Sequence, residues 1–558
     1  ESDYTHSYPH CWRCKGPIIF RATPQWFISL EVGNLRERIL DEIRKVEWVP
    51  AYCRERIGSM VEQRQEWCIS RQRTWGVPIP ALYCRECGHV QLDAGFIRDL
   101  AEIVRREGTD IWFAALDGNP PDSLKELLGK ASCPKCQAKQ LRLEPDILDV
   151  WFDSGTSHQG VMRRHPDLSY PADLYLEGSD QHRGWFQSSL SIAVAIDQGT
   201  PYRKVLTTGF TVDEEGRKMS KSLGNFPQIE DYIDRCGADI LRLWVASEDF
   251  RQDISFSERI IQRLTQAYFR IRNTSRYLLG NLHDFVWEKA VPEEEMNEID
   301  RWALNRTREI ERRARQAYTA FEYHRIFHSV NNFCTVDLSS FYLDVLKDRL
   351  YTFPVDSRSR RSAQTVLAHT AVTLARLLSP ILCFTAEELW QQLRELTLVE
   401  EESVALTLWE EDEQPIDRDL MERWSHLLAV RREVQAALEV LRQQRTIGSS
   451  LEAAVVLQPA NERLRGLLES YVSPALAGDD LASIFITSDA RLAGPEAPAA
   501  EQDGVFCYES PTLEGLVIEV RKTAAHKCAR CWRRDPSVKS GETEVCERCQ
   551  QALAGTLA

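Results

Sequence analysis

Near Ser257 the sequence changes its period. From Asp146 to that point short apolar runs alternate with amphipathic ones: "LYLEG" reads as a buried strand, "WFQSSLSIAVAI" as a helix and "KVLTTGFTVD" as another strand. Such alternation suits a doubly wound α/β sheet, whose ligands bind at the carboxyl ends of its strands. Beyond Ser257 the pattern is almost wholly helical. In "SERIIQRLTQAYFRIRNTSRYLLGNL" the residues Ile261, Leu264, Tyr268 and Ile271 fall on one face. With 558 residues the chain has room for roughly three to five domains. The expected fold class is multidomain, α/β followed by all-α.

Shorter passages divide the chain further. Residues 1–30 read as strand-rich with Pro punctuation, and Leu35–Ile43 as a helix. "EWCISRQRTWGVPIPALYC" is too broken for a helix and reads as loop with short strands. Residues 84–145 form an insertion bounded by cysteines, with helical centres. "FPQIEDYIDRCG" has Pro near its start and Gly just past its end, as helices do. The helix "MERWSHLLAVRREVQAALEVLRQQ" opens a smaller α/β region over 421–520 that includes "AAVVLQ" and "LASIFIT". The expected segments are 1–30, 31–83, 84–145, 146–257, 258–420, 421–520 and 521–558.

The cysteines point to metal. Cys528, Cys531, Cys546 and Cys549 form two C-x-x-C knuckles fourteen residues apart, against a usual gap of about 15–20. Four thiolates so placed suit tetrahedral Zn²⁺, which would fold a segment too small for its own core. Cys84 and Cys87, with Cys133 and Cys136 beyond a 45-residue gap, make a second candidate set. Cys11 and Cys14 supply only two thiolates, where a structural zinc takes four. The net charge of −15 argues against a polyanionic partner for the body, but residues 521–558 hold eight Lys/Arg against four Asp/Glu. There Arg530, Trp532, Arg533 and Arg534 read as a cationic, stacking surface for RNA. No apolar run reaches the ~20 residues of a membrane span, so no membrane partner and a cytoplasmic location are expected.

"EEGRKMSKSLGN" places Lys218 and Lys221 in a polar loop after Gly216. Ammonium groups are compact charges suited to phosphate, and donors aimed at departing pyrophosphate would lower its barrier. "KMSKS" resembles the second signature of class I aminoacyl-tRNA synthetases. "DVWFDSG" and "LYLEGSDQHRGWFQSSL" (Leu174–Leu190) are similar to the bacterial isoleucyl enzymes of that family, and the resemblance covers essentially the whole chain.

The resemblance implies a fold: the second half of a Rossmann-like catalytic domain over 146–257 and a helical anticodon-binding bundle over 258–420. A small α/β region and a C-terminal zinc finger would follow, with 1–30 the end of an editing insertion and 31–83 the return to the catalytic core. It also implies roles. Lys218, Met219, Ser220, Lys221 and Ser222 would bind ATP, with Lys218 and Lys221 catalytic; Glu177 would hold the aminoacyl-adenylate by its α-amino group; Trp151 and Trp185 would wall the aliphatic pocket. Zn²⁺ is the implied cofactor. ATP (with Mg²⁺), isoleucine and tRNA(Ile) are the implied substrates. The family's other signature, H-I-G-H, is absent from these 558 residues. The expectation is therefore a C-terminal portion, inactive by itself and partnered by the N-terminal half. Two alternatives stand: a tRNA-binding module without activity, and a valyl or leucyl ligase, in which "EGSDQHRGWF" is not expected.

Overall fold

Leu35, Ile39 and Ile43 recur at four-residue spacing and are all buried, which turns helix α1 (Leu35–Lys45) inward along one stripe. Helix α2 (Cys53–Glu62) repeats the pattern with Cys53, Ile57 and Val61. In the computed structural model these helices belong to one of two compact units, which comprises residues up to Phe210 together with Arg251–Asp253; Thr211–Phe250 and Ile254 onward form the other. Residues 146–257 thus fall partly in each unit. The structure describes residues 6–11, 14–219, 225, 227–409, 414–472, 478–494, 504–539, 541 and 544–555.

In the first unit, strands β1 (Glu47–Val49), β2 (Ala172–Gly178) and β3 (Tyr202–Thr208) form a parallel sheet in the order β1-β3-β2. Helix α3 (Trp185–Ala195) connects β2 to β3, and every residue from Phe186 to Val194 is buried. Trp48, Tyr175, Phe186, Leu190, Tyr202 and Val205 make the core with Ile39 and Ile57; each such side chain contributes about 1.5–3 kcal/mol by leaving water. The sequence reading needs correction at β2. Tyr175 is 3% exposed, but Leu176 is 52% exposed and Glu177 is exposed too. Among the described residues β2 pairs only with β3, so it is an edge strand, buried at Ala172 and Tyr175 rather than throughout.

The run "KVLTTGFTVD" is also not one strand. It breaks at Gly209, where an added Cβ would stand 2.1 Å from the Gln252 carbonyl oxygen, and the Phe210 N–H donates to Asp253 Oδ1 at 2.7 Å. Close approach of a second backbone ends the strand. Of residues 1–30, expected to be strand-rich, those described before the short strand Phe27–Ser29 contain only an isolated bridge between His10 and Pro17. Proline removes the donors that a ladder needs.

The insertion folds around Leu82, Phe96, Leu100, Trp112, Leu124 and Leu127, with helices at Ala94–Glu107, Asp110–Leu116 and Asp122–Lys130. Buried Glu144 ties it to the chain before it and to one of its own helices: its carboxylate accepts from Trp26 Nε1 (2.8 Å) and Tyr83 OH (2.5 Å), and its carbonyl from Trp112 Nε1 (2.9 Å).

The second unit is mainly helical. Helices α4 (Glu258–Gly280), α5 (Glu298–Thr319), α6 (Arg358–Leu378), α7 (Cys383–Glu395) and α8 (Arg418–Gln443) share one apolar core. Ser257 caps α4 by accepting from the Ile260 N–H. Ile261, Leu264 and Ile271 are buried, with Tyr268 packed partly against them. The same core continues into a four-stranded sheet through Val455, Leu457, Ile518 and Val520. No helix of the described residues is long and apolar enough to cross a membrane.

Candidate active site and metal centres

Two of the residues singled out from the sequence, Glu177 and Trp185, flank the turn at the carboxyl end of β2, and a third, Trp151, packs against that turn. Glu177 is the penultimate residue of β2 and exposed. The chain then turns through Ser179–His182 into α3, whose first residue is Trp185. Trp185 lies flat on Tyr175, with ring centroids 4.0 Å apart and 10° between planes, and its indole N–H donates to Ser154 O (3.0 Å) and Ser157 Oγ (3.3 Å). Both contacts lock the ring. Trp151 begins the turn from the other side: Asp149 caps its short helix, and its ring lies where a Cβ on Gly184 would be, 2.9 Å away.

Trp151 stays 40% exposed and lines an open cleft of about 1110 Å³ with Arg71, Arg73, Trp75, Asp149 and Asp153. Asp149 pairs with Arg71 at 2.9 Å. Burial, helped by the charge of Asp149, pushes the Asp153 carboxyl up to about 6.

Two residues here escaped the sequence reading. Gln181 Oε1 accepts the Trp185 N–H at 2.9 Å, and Gly184 makes room for Trp151. The only local signal was the glycine before the tryptophan in "HRGWF". Gly184→Ala is expected to destabilise this unit by about 1–3 kcal/mol through overpacking against Gln181 Oε1 and the Trp151 ring and to displace both side chains. Near-ultraviolet circular dichroism and tryptophan quenching check it; an unchanged tryptophan spectrum would refute the contact.

The lysine loop grows from a hairpin in the second unit. Thr211–Val212 pairs with Ile254–Ser255, and Val212 bridges to Lys218 across a turn closed at Gly216 (φ +77°). Lys218 is exposed; Met219 packs partly against the apolar core. Asp213 lies at the base. Hydrogen bonds from Asn225, then from Arg217, hold its carboxyl down at about 2. Ser220, Lys221 and Ser222 lie outside the described residues.

Both four-cysteine sets come together, with all four sulfurs of each within 4.8 Å of one another. Cys84 and Cys136 are 3.5 Å apart, Cys87 and Cys133 3.6 Å, and Cys531 and Cys546 3.7 Å. Those spacings are far beyond a disulfide and match the ~3.8 Å edge of a tetrahedron with Zn–S near 2.3 Å. The residues fit Zn²⁺. Three knuckles share one turn, in which the residue after the second cysteine (Gly88, Gln137, Trp532) has positive φ and its N–H donates to the first cysteine's carbonyl. Cys11 and Cys14 make the same turn, with Lys15 at φ 60°.

The finger's arginines correct the sequence reading. Arg548 grips Asp348 with two bonds (2.6 and 2.8 Å), and Arg533 reaches the same carboxylate at 3.2 Å and Ser483 Oγ at 2.9 Å. Arg534 pairs with Glu452 at 3.2 Å, and Arg530 donates to the Thr352 carbonyl. Arg530, Arg533 and Arg534 therefore dock the finger on the unit's own body. Trp532 is the residue left outward, 61% exposed with Lys527 Nζ 5.0 Å from its ring centre.

Comparison with known proteins agrees with this layout. Residues 3–257 match the family described as class I tRNA synthetases (I, L, M and V), 300–457 the anticodon-binding domain of tRNA ligase, and 525–552 the zinc finger found in FPG and IleRS. The chain is 50% identical, over 98% of its length, to an isoleucine–tRNA ligase of Moorella thermoacetica. It is 46% identical, over 99% of its length, to one of Thermotoga maritima. It spans 57% and 58% of the length of these curated relatives. With the catalytic, anticodon-binding and zinc-finger matches in one order along the sequence, the chain belongs to the class I aminoacyl-tRNA synthetases.

Proposed function

We propose that these residues serve an isoleucine–tRNA ligase, which joins isoleucine to ATP as isoleucyl-adenylate, releases pyrophosphate and passes the acyl group to tRNA(Ile). The observation that carries the reading is that the Trp151 ring packs at Gly184, next to Trp185, in the turn that follows Glu177 at the carboxyl end of β2, where parallel sheets bind ligands. Glu177 supplies a carboxylate for the substrate's α-ammonium. Trp151 and Trp185 offer apolar walls to a branched side chain, Trp185 held rigid by Tyr175 and Ser154. Lys218 and Lys221 meet the negative charge that builds on the leaving phosphates. Mg²⁺ bound with ATP would neutralise phosphate charge.

Zinc held by Cys528, Cys531, Cys546 and Cys549 gives the finger its shape, and a second zinc at Cys84, Cys87, Cys133 and Cys136 does the same for the insertion. The bundle takes the anticodon stem, and Trp532 offers a stacking face for an unpaired base.

ATP–pyrophosphate exchange with isoleucine, valine and leucine tests the reading. Negligible exchange is expected from these 558 residues alone, which hold no H-I-G-H. Isoleucine-dependent exchange should appear when a portion bearing that signature is supplied. In that reconstituted enzyme Lys221→Ala should slow exchange by about 10²–10³-fold with tRNA binding unchanged; equal loss of both would refute the phosphate role. A second reading is a tRNA-binding module without catalysis, which the helical bundle and the outward Trp532 would equally serve. Retained tRNA binding with no exchange after supplementation would select it.

A further inference from the structure

We propose that Asp213 is a positioning residue for the lysine loop: one carboxylate ties together the two ends of the segment that carries Lys218 and Lys221. The inference rests on the reading of that loop as the ATP-phosphate site. Asp213 Oδ1 accepts the Arg217 N–H at 2.8 Å, before the lysines. Oδ2 accepts Arg217 Nε at 2.8 Å and, from beyond the lysines, Asn225 Nδ2 at 3.0 Å. Asn225 Nδ2 also lies 3.5 Å from the Lys218 carbonyl, so residues 218 and 225 stand side by side.

Asp213 is itself anchored. Its N–H donates to the Arg217 carbonyl (2.9 Å), its carbonyl accepts from the Gly216 N–H (3.0 Å), and the neighbouring Val212 carbonyl accepts from the Phe256 N–H (3.0 Å). It is 8% exposed, and Phe256 belongs to the unit's apolar core. Arg217 is occupied by Asp213 and by Glu215 at 3.0 Å. This third cation of "GRKMSK" therefore braces the loop, and the phosphate charge falls to the lysines. With both ends tied, the span that the lysine segment must bridge is set when the protein folds rather than when the transition state forms. A carboxylate suits the position because both its oxygens face donors, the Arg217 N–H and Nε and the Asn225 amide, while the link from 213 across to 225 needs one donor and one acceptor.

The test uses the enzyme supplied with its H-I-G-H portion. Asp213→Asn points an amide donor at Arg217 or Asn225 and should slow pyrophosphate exchange about 30-fold. The loss should lie in kcat, with the KM for isoleucine unchanged. Transfer of isoleucine from preformed adenylate to tRNA should be unaffected. Adding Asn225→Asp swaps donor and acceptor and should restore exchange to within about threefold of the parent. In the 558-residue chain itself, deuterium exchange at the Arg217 amide should quicken about tenfold in Asp213→Asn.

Should that variant fail to fold, Asn225→Ala, which removes one donor, should still slow exchange about tenfold. Normal exchange in Asp213→Asn while Lys221→Ala abolishes it would overturn the clasp and leave the loop reading intact. Equal loss of exchange and transfer, or no recovery in the swapped pair, would reduce Asp213 to a general structural role and also overturn it. Full exchange by Lys221→Ala would remove the loop reading, and this inference with it.

Discussion

Replacing Cys546 with serine is expected to unfold residues 525–552 and leave the helical body folded. The finger's apolar cluster consists of Cys528, Val538, Cys546 and Cys549, with Cys531 and Val545 beside them, so nearly every buried group is a metal ligand. A structural zinc held by four thiolates contributes on the order of 10–16 kcal/mol to such a segment at neutral pH. A core of that size could not replace it. The ion pairs from Arg533 and Arg548 to Asp348 require the finger's fold, so undocking should accompany unfolding. Hydrogen exchange across 525–552 should rise to near-random-coil rates in the variant, and in the parent after strong chelation. Protection in 258–443 should hold. A finger that stays protected without zinc would contradict the assignment.

The other large effect is expected inside the bundle. Asp300→Ala should destabilise the second unit by about 3–5 kcal/mol, the usual result of stripping one partner from a buried pair. Asp300 and Arg349 are 0% and 1% exposed. Asp300 accepts both terminal guanidinium nitrogens of Arg349 (2.9 and 2.5 Å), Tyr342 OH (2.8 Å) and Ser362 Oγ. Removing the carboxylate leaves a buried guanidinium and two hydroxyls without their acceptor. Replacing both members, Asp300→Leu with Arg349→Met, should recover part of the loss, because the guanidinium is no longer left buried without its carboxylate, while Tyr342 OH and Ser362 Oγ still lack their acceptor. Urea unfolding followed by helix circular dichroism reads both. A loss under ~1 kcal/mol for Asp300→Ala would mean that water reaches the pair.

What could be read in advance was local. The helix over Glu258–Gly280 was legible because Ile261, Leu264 and Ile271 recur at its period, and both thiol clusters because cysteine spacing is itself a geometric statement. The reading failed where the deciding neighbour is remote. "LYLEG" is as apolar as a buried strand, yet β2 stands at the edge with Leu176 in the open. Arg533 and Arg534 resembled an RNA-facing surface, but their partners Asp348 and Glu452 lie far back in the chain. Asp213 carries no motif of its own; its role depends on which donors the hairpin returns to it.

Side-chain order along the chain settled the period of helices such as α1 and α4, the thiol sets and the family signature, because those depend on neighbours a few residues apart. Packing of distant segments decided which charges face inward and which strand lies at the edge. Burial and hydrogen-bond pairing are properties of surfaces that exist only once those segments meet.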